Sequence, residues 1–199
     1  MAFIHEKLYK SKDAARIEFS EYAKDLATNL QHTYGADNVE IDVTSDHLDL
    51  NVDTAIPCGL ILSELLSNCL THAFRQSRKH KNKIRIDIRK VKDGNDGTQN
   101  YVLKVIDNGV GLPAHLDVQS TDSLGLLLIR KLTEQLRGSI AVERDNGTTF
   151  QISFQDRRVA RSDLLRYAAR SGFDEVDEVS DLFDRLQLFS NRFQSLACI

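Results

Sequence analysis

Hydrophobic and polar residues recur along this chain with two different periods, which predicts a fold that contains both helices and strands. Helical spacing marks residues 18–34, 54–74 and roughly 124–137. Alternation with a period of two marks six short segments, each of a length that is typical of a strand. These predicted strands are 39–43, 48–52, 83–91, 101–107, 139–144 and 148–154.

The order of these elements predicts an α+β fold class. Pairs of strands alternate with helices, and strands 39–43 and 48–52 are joined by a short polar turn as one such pair. This order favours a two-layer α/β sandwich, in which helices cover one face of a mixed, mainly antiparallel sheet.

The two ends of the chain differ from the part between them. Residues 1–11 are typical of a short helix or the end of a longer one. Residues 157–171 carry five arginines and one acid, and residues 174–184 carry six acids. Apolar residues continue at helical spacing there, which predicts an amphipathic helical extension. We expect it to pack on the domain or on a second copy of the chain, as a homodimer; the alternative is a partner-binding helix.

Composition limits the partners and the compartment. The net charge of −3 is too small to indicate nucleic acid or membrane partners. No apolar run approaches the ~20 residues of a membrane span. The three cysteines form no C-x-x-C pair, and Cys58 and Cys69 lie roughly 16 Å apart on one predicted helix, too far to bridge. An odd count without a framework indicates a reducing, cytoplasmic location.

The tripeptide Asp-Asn-Gly occurs twice, with different surroundings. The copy at 145–147 has strands on both sides, which predicts a hairpin turn. The copy that begins at Asp107 has a strand before it only, and Gly109, Gly111 and a long irregular stretch follow. A turn is one interpretation of this copy as well. The other is a ligand site, because glycines let a backbone approach a ligand and a carboxylate at the edge of a core needs a partner, such as an amino group on a planar ligand.

Two further stretches carry candidate chemistry. Glu64, Asn68 and His72 are four residues apart, so they form one polar line on the long helix. The line is either a solvated face or a site for a divalent cation, a nucleophile and phosphate, since an asparagine oxygen suits Mg²⁺. The Ser123–Gly125 turn opens directly into a helix, so it is either an ordinary cap or a phosphate site made of free amides.

These stretches together resemble a known family. "ELLSNCLTHAF", "DNGVGLP" and "SLGLLLIRKL" are similar to the N, G1 and G2 boxes of the GHKL (Bergerat-fold) ATPase superfamily, which joins gyrase, Hsp90, MutL and histidine kinases. The opening "FIHEKLYKSKDAARIEFSEYAKDL" resembles the stretch that joins the dimerisation helices to the ATP-binding domain in bacterial sensor histidine kinases of the second phosphoacceptor class, close to the HWE type. The resemblance covers roughly residues 3–155.

The resemblance implies roles for the residues of the N box and the G1 box. It implies that Asn68 coordinates Mg²⁺ between the phosphates of ATP and that Glu64 polarises the attacking nucleophile. His72 would approach the phosphates, and Asp107 would accept a hydrogen bond from the adenine amino group. Thr71 stands where the family often has lysine, which removes one positive charge near the phosphates.

The resemblance also implies how loops surround the nucleotide. Gly109 and Gly111 would shape the loop beside it, and Thr148 matches a further adenine-site threonine. Residues 112–124 would form the mobile ATP lid. Backbone amides of the G2 box would face phosphate, at Ser123, Leu124, Gly125 and Leu126.

The resemblance predicts the catalytic domain of a two-component sensor histidine kinase that uses ATP and Mg²⁺. The expected divisions are the end of the dimerisation region at 1–11, the ATP-binding domain at 12–156 and the helical extension at 157–199. His5 matches a later, non-reactive position of the family, so the phosphoacceptor histidine is expected outside this chain. A phosphoacceptor domain and a response regulator are the implied partners.

Other functions stay open at this point. A kinase-like domain can serve as a non-catalytic docking or phosphotransfer module, and an anti-sigma-type serine kinase needs no internal histidine. A gyrase-type or Hsp90-type ATPase would need large transducer domains, for which the chain has no room. The basic run at 75–85 is either a solvated helix end or a docking surface for an acidic partner.

Overall fold

The computed structural model describes the central part of the chain. The described residues are 16–74, 81–91, 98–113, 116–118, 120 and 123–157. They belong to one compact unit, Lys7–Arg158. The helices predicted at 1–11 and beyond residue 157, and most of the basic run, lie outside the described residues.

The described elements follow the predicted order of helices and strands, with one additional short strand, β1, before the first helix. They are β1 (Arg16–Glu18), α1 (Phe19–Thr33), β2 (Val39–Ser45), β3 (Asp49–Asn51), α2 (Val52–Asn68), a π-helical turn (Cys69–Ala73), β4 (Asn82–Lys90), β5 (Thr98–Asp107), α3 (Leu124–Gln135), β6 (Ser139–Glu143) and β7 (Thr148–Arg157).

The main sheet has five strands in the order β2-β4-β5-β7-β6, and β2 with β4 is its parallel pair. The other neighbours are antiparallel, so the predicted mixed, mainly antiparallel sheet is confirmed. The pairing implied for strands 39–43 and 48–52 is wrong. β3 instead pairs with β1 in a separate two-stranded sheet, where Leu50 lies opposite Ile17. β2 and β4 are parallel, and parallel neighbours need a long crossover, which α2 supplies here.

One face of the main sheet forms the core. Along β4, Ile84, Ile86 and Ile88 are fully buried, whereas Arg85 and Arg89 between and beyond them are exposed. The same alternation continues on β5 and β7 because side chains of a strand point to opposite faces. The helices contribute the other half of this core, with Phe19, Ala23, Ile61, Leu62, Leu65, Leu66 and Ile129.

Helix α2 and the π-helical turn form an unusually apolar element. Among the described residues, Val52–Ala73 is long and apolar enough, by length and composition, to cross a membrane, with a mean hydropathy of 1.3. The segment reaches the length of a membrane span as a helix, but polar residues such as Glu64 and Asn68 interrupt its apolar run. A core helix of a globular fold has the same character, and 56% of the segment's most apolar window is buried inside the fold.

A buried carboxylate in β7 contacts both the start of α2 and strand β1. Asp156 of β7 is fully buried, and its Oδ1 accepts hydrogen bonds from Asn51 Nδ2 at 2.8 Å and Thr54 Oγ1 at 2.7 Å. Its Oδ2 lies 3.5 Å from Nη2 of Arg16 in β1. The negative charge also faces the first turn of α2, where a helix dipole favours it.

We predict that Asp156→Ala destabilises the fold by about 2–4 kcal/mol, because it leaves the buried Thr54 hydroxyl and the half-buried Asn51 amide without this acceptor and removes the charge that faces Arg16. The free energy of unfolding from a urea titration measures this loss. Asp42→Ala is the matched control, because Asp42 is exposed on β2, and a change within about 0.5 kcal/mol is expected there. Equal effects of the two variants would contradict the assigned role of Asp156.

Candidate functional site

The candidate site lies at the end of the sheet where β5 ends and β7 begins. Asp107 is the last residue of β5, and Thr148 is the first residue of β7 and its direct cross-strand partner. Both side chains are buried, with Asp107 only 5% exposed. Two residues that are distant in sequence are therefore brought together, as the resemblance implied.

The carboxylate of Asp107 is held by donors from three directions. Its Oδ1 accepts the backbone N–H of Gly109 at 2.8 Å, and its Oδ2 lies 3.7 Å from Sγ of Cys69. The backbone amide and the hydroxyl of Thr148 also hydrogen-bond to it. Burial raises the pKa of Asp107 above its ordinary value, although each of these donors lowers it. The side chain is a fixed, partly desolvated acceptor.

A π-helical turn continues α2 at Cys69–Ala73 and reaches the loop that follows Asp107. The carbonyl oxygen of Ala73 accepts the backbone N–H of Val110 at 2.9 Å. At Gly109, any side-chain carbon would collide with that same carbonyl. Gly109 is thus required by the close approach of two backbones. Such wide turns inside helices are frequent at functional sites.

The two Asp-Asn-Gly copies contact each other. Gly147 has a φ of +128°, and a side-chain carbon on it would collide with the backbone carbonyl of Asp107. Gly111, with a φ of +75°, would place such a carbon 3.2 Å from the Gly147 carbonyl oxygen. The second copy joins antiparallel β6 and β7, so the predicted hairpin is confirmed. The first copy leads from β5 into a loop, as its flanks predicted.

Asn108 has a role that sequence reasoning missed. Its Nδ2 donates to the carbonyl oxygen of Lys81 at 2.9 Å, and its Oδ1 accepts the backbone N–H of Lys83 at 2.8 Å. The side chain therefore substitutes for a strand partner where β4 begins. An asparagine at the middle of such a tripeptide was the one available sequence feature, and it does not distinguish this role from an ordinary turn.

The polar line on α2 faces the start of α3. A side-chain carbon on Gly125 would lie 3.0 Å from Oε2 of Glu64 and 4.0 Å from Nδ2 of Asn68. Glu64 and Asn68 are half-buried, and burial raises the pKa of Glu64. His72, in the π-helical turn, is exposed. The first two members of the predicted line and the glycine of the third motif therefore form one cluster.

The N-terminus of α3 presents backbone amides next to this cluster. Ser123 is the cap residue, and its side chain makes no capping hydrogen bond. Leu124 is 51% exposed, whereas Leu126 is buried in the core. Leu126 can therefore contribute to a ligand only through its backbone.

The described part of the predicted lid is held by two arginines, Arg144 and Arg130. Arg144, which follows β6, donates to the carbonyl oxygen of Leu116 at 2.8 Å. Arg130 of α3 donates to the carbonyl oxygen of Val118 at 3.4 Å, and Val118 itself is buried. The backbone at Leu116 and Val118 is thus hydrogen-bonded to the β6 side and to α3.

The two clusters adjoin because Asn68 and Cys69 are consecutive residues. Cys69 contacts Asp107, which is also bound by Gly109 and Thr148, and Asn68 lies with Glu64 beside Gly125. Within the residues that the structure describes, no three His, Cys, Asp or Glu side chains stand close enough to hold a metal ion.

Comparison with known proteins identifies the class. The family described as "Histidine kinase-, DNA gyrase B-, and HSP90-like ATPase" matches residues 53–158, more than half of the chain, and the chain belongs to this family. A second family, described as "Histidine kinase", matches residues 1–34. That match extends through α1, so the domain boundary expected after residue 11 stays a prediction.

The individual relatives that match the chain are histidine kinases. The chain is 30% identical over 128 residues to blue-light-activated histidine kinase 2 of Erythrobacter litoralis, covering 64% of this chain and 35% of the relative. The solved structure of the E. litoralis EL346 blue-light activated histidine kinase matches with a TM-score of 0.65 and 25% identity, over 77% of this chain and 50% of that one. The separately solved histidine kinase domain of the same protein matches with a TM-score of 0.61 and 27% identity, over 69% of this chain and 65% of that one.

A more distant structure supports the fold alone. The mycobacterial sensor histidine kinase MprB matches with a TM-score of 0.55 and 15% identity, over 71% of this chain and 97% of that chain. The chain therefore contains an ATPase domain of the matched family, and the relatives found by both comparisons are histidine kinases. It spans about a third of the curated relative and half of the first solved structure.

We predict that Gly147→Ala disrupts the site, because the new methyl group collides with the Asp107 backbone and the residue keeps a strained φ. A loss of about 3 kcal/mol in the free energy of unfolding is expected. Gly35→Ala is the matched control, since Gly35 also has a positive φ of +59° but no atom within 4 Å of the added carbon. That variant should lose only about 1 kcal/mol. Equal losses would contradict the packing role of Gly147.

We also predict that Asp107→Asn changes how stability depends on pH. A raised pKa means that the stability contributed by Asp107 is present at low pH and is lost as the pH rises through the folded-state pKa. The asparagine variant does not ionise and so lacks this loss. The free energy of unfolding of the variant, relative to that of the wild type, should therefore rise between about pH 4 and about pH 7. Urea titrations of the variant and the wild type at both pH values measure this difference. A constant difference would contradict the burial effect.

Proposed function

We propose that this chain binds Mg-ATP and catalyses transfer of the γ-phosphoryl group to a histidine on a phosphoacceptor domain outside these residues. The observation that supports this most strongly is the junction at Asn68 and Cys69. There a buried carboxylate cluster and a polar cluster at a helix N-terminus meet at one end of α2. A nucleotide has the matching pair of chemistries, an amino-bearing planar base and an anionic phosphate chain.

The adenine end of the ligand would occupy the Asp107 cluster. The buried carboxylate is a strong acceptor for an exocyclic amino group, and its own donors hold it in one orientation. Thr148 would contribute a second polar contact beside it. Gly109 and Gly111 keep the backbone free of side chains where the base would lie.

The phosphate end would occupy the polar cluster. Backbone amides at Ser123–Leu126 open α3, and the helix dipole favours an anion there. His72 would approach the phosphates from the exposed side of the π-helical turn.

The donor set fits Mg²⁺. Asn68 offers one hard oxygen, and Mg²⁺ is ordinarily held by one or two protein oxygens together with substrate phosphates and water. When bound, the ion would neutralise charge on the phosphates.

Glu64 would act on the incoming histidine. Its burial raises its pKa, so the carboxyl group is poised to accept a hydrogen bond or a proton from an imidazole N–H. In the transfer, a bond forms between the imidazole nitrogen and the γ-phosphorus as the bond to ADP breaks. The role of the chain is to position both reactants and to stabilise the charge.

We expect the reaction to belong to a cytoplasmic two-component phosphorelay, with a response regulator as the receiver of the phosphoryl group. A non-catalytic docking or phosphotransfer module and a serine kinase of the anti-sigma type are the alternatives. These alternatives are separated by what the chain does with ATP and an acceptor.

Calorimetry with Mg-ATP tests the binding half of the proposal. We predict that the wild-type chain binds Mg-ATP and that Asn68→Ala lowers the affinity by about 10–100-fold, because an oxygen ligand of the metal is lost. Asn29→Ala is the control, since Asn29 is exposed on α1 and far along the chain from the site. No binding by the wild type would refute the proposal.

Labelled ATP and a fragment that carries a phosphoacceptor histidine test the transfer half. Acid-labile label on that fragment supports the histidine kinase. Binding without transfer points to the docking module, and acid-stable label on serine points to the serine kinase.

A further inference from the structure

Cys69 contacts the carboxylate of Asp107, which the proposed nucleotide would also contact. It is the first residue of the π-helical turn and is 6% exposed. Its Sγ lies 3.7 Å from Oδ2 of Asp107, within the longer range of a sulfur hydrogen bond. An ionised carboxylate can only accept a hydrogen bond, whereas a thiol can donate one, so the thiol is the donor in this contact.

The two oxygens of Asp107 have partners from different elements. Oδ1 accepts a backbone N–H from the loop at Gly109, and Oδ2 accepts the thiol proton from the end of α2. A carboxylate that is held at both oxygens cannot rotate about its last torsion without losing a donor. Together with the backbone amide and the hydroxyl of Thr148, this pair of contacts fixes the plane of the carboxylate and thus the direction of its remaining lone pairs.

We propose that Cys69 is a positioning residue that orients Asp107 toward the amino group of the purine and thereby sets the preference of the site for amino-bearing bases. The inference rests on the proposed nucleotide function. Cys69 does not contact the base itself; it acts through the carboxylate. Its effect is therefore confined to ligands that use the amino group.

Two nucleotides separate this role from general packing. ATP carries the exocyclic amino group, and purine riboside 5′-triphosphate has the same ring and phosphates without it. We expect Cys69→Ala to lower the affinity for Mg-ATP about fivefold, the equivalent of one modest hydrogen bond, and to leave the affinity for the second nucleotide within about twofold. Calorimetry measures both.

The matched variants are Cys69→Ser and Cys58→Ala. Serine restores a donor at the same position, so Cys69→Ser should bind ATP within about twofold of the wild type. Cys58 is equally buried on the same helix but lies beside Asp156, at the other end of the domain. Cys58→Ala should change the affinity for neither nucleotide. Thermal unfolding of each variant reports any loss of folding separately from binding.

The outcomes distinguish this inference from the proposed function. If the wild type binds ATP but Cys69→Ala weakens both nucleotides equally, or Cys69→Ser fails as fully as Cys69→Ala, the positioning role is wrong and the kinase proposal stands. An unchanged ATP affinity in Cys69→Ala also overturns the role. If the wild type binds neither nucleotide, both ideas fail together.

Discussion

The candidate site depends on backbone contacts that leave no room for side chains. The carbonyl of Asp107 lies directly against Gly147, and the carbonyl of Ala73 lies directly against Gly109. These contacts clamp the loop after β5 between the β6–β7 hairpin and the π-helical turn. Because the backbone of the loop is fixed, hydrogen bonds from neighbouring residues are enough to hold the carboxylate of Asp107 in one orientation. Gly109 and Gly147 are thus required for the backbone contacts that position Asp107.

Local patterns predicted the helices, most strands and the two different roles of Asp-Asn-Gly, because period and flanking residues are visible in the sequence itself. The polar line on α2 was equally visible. The separation of β2 from β3 was not, since partner choice depends on which strand a crossover brings alongside. The π-helical turn has no signature in the pattern of apolar positions. The contact between Cys69 and Asp107 joins two motifs that were interpreted separately, so neither motif alone could show it.

Two buried carboxylates mark opposite ends of the sheet and illustrate two uses of the same chemistry. Asp156 receives hydrogen bonds from Asn51 and Thr54 and faces Arg16, which makes it a structural tie between elements. Asp107 has donors as well, but burial still raises its pKa, so its charge is costly to the fold. A group kept at such a cost is typical of a functional position. The two carboxylates therefore have opposite effects on stability: Asp156 secures the fold at one end of the sheet, and the charge of Asp107 weakens it at the other.

The π-helical turn makes the loop geometry sensitive to the number of residues between Cys69 and Ala73. A π-helical turn holds one more residue than an α-helical turn, so it is the form that a helix adopts when a single residue is inserted. Removing one residue between Cys69 and Ala73 would restore a regular helix and rotate everything beyond it by about 100°. The Ala73 carbonyl would then turn away from Val110 and release the loop. Relatives that keep this loop geometry should therefore keep the length of this segment more strictly than its composition.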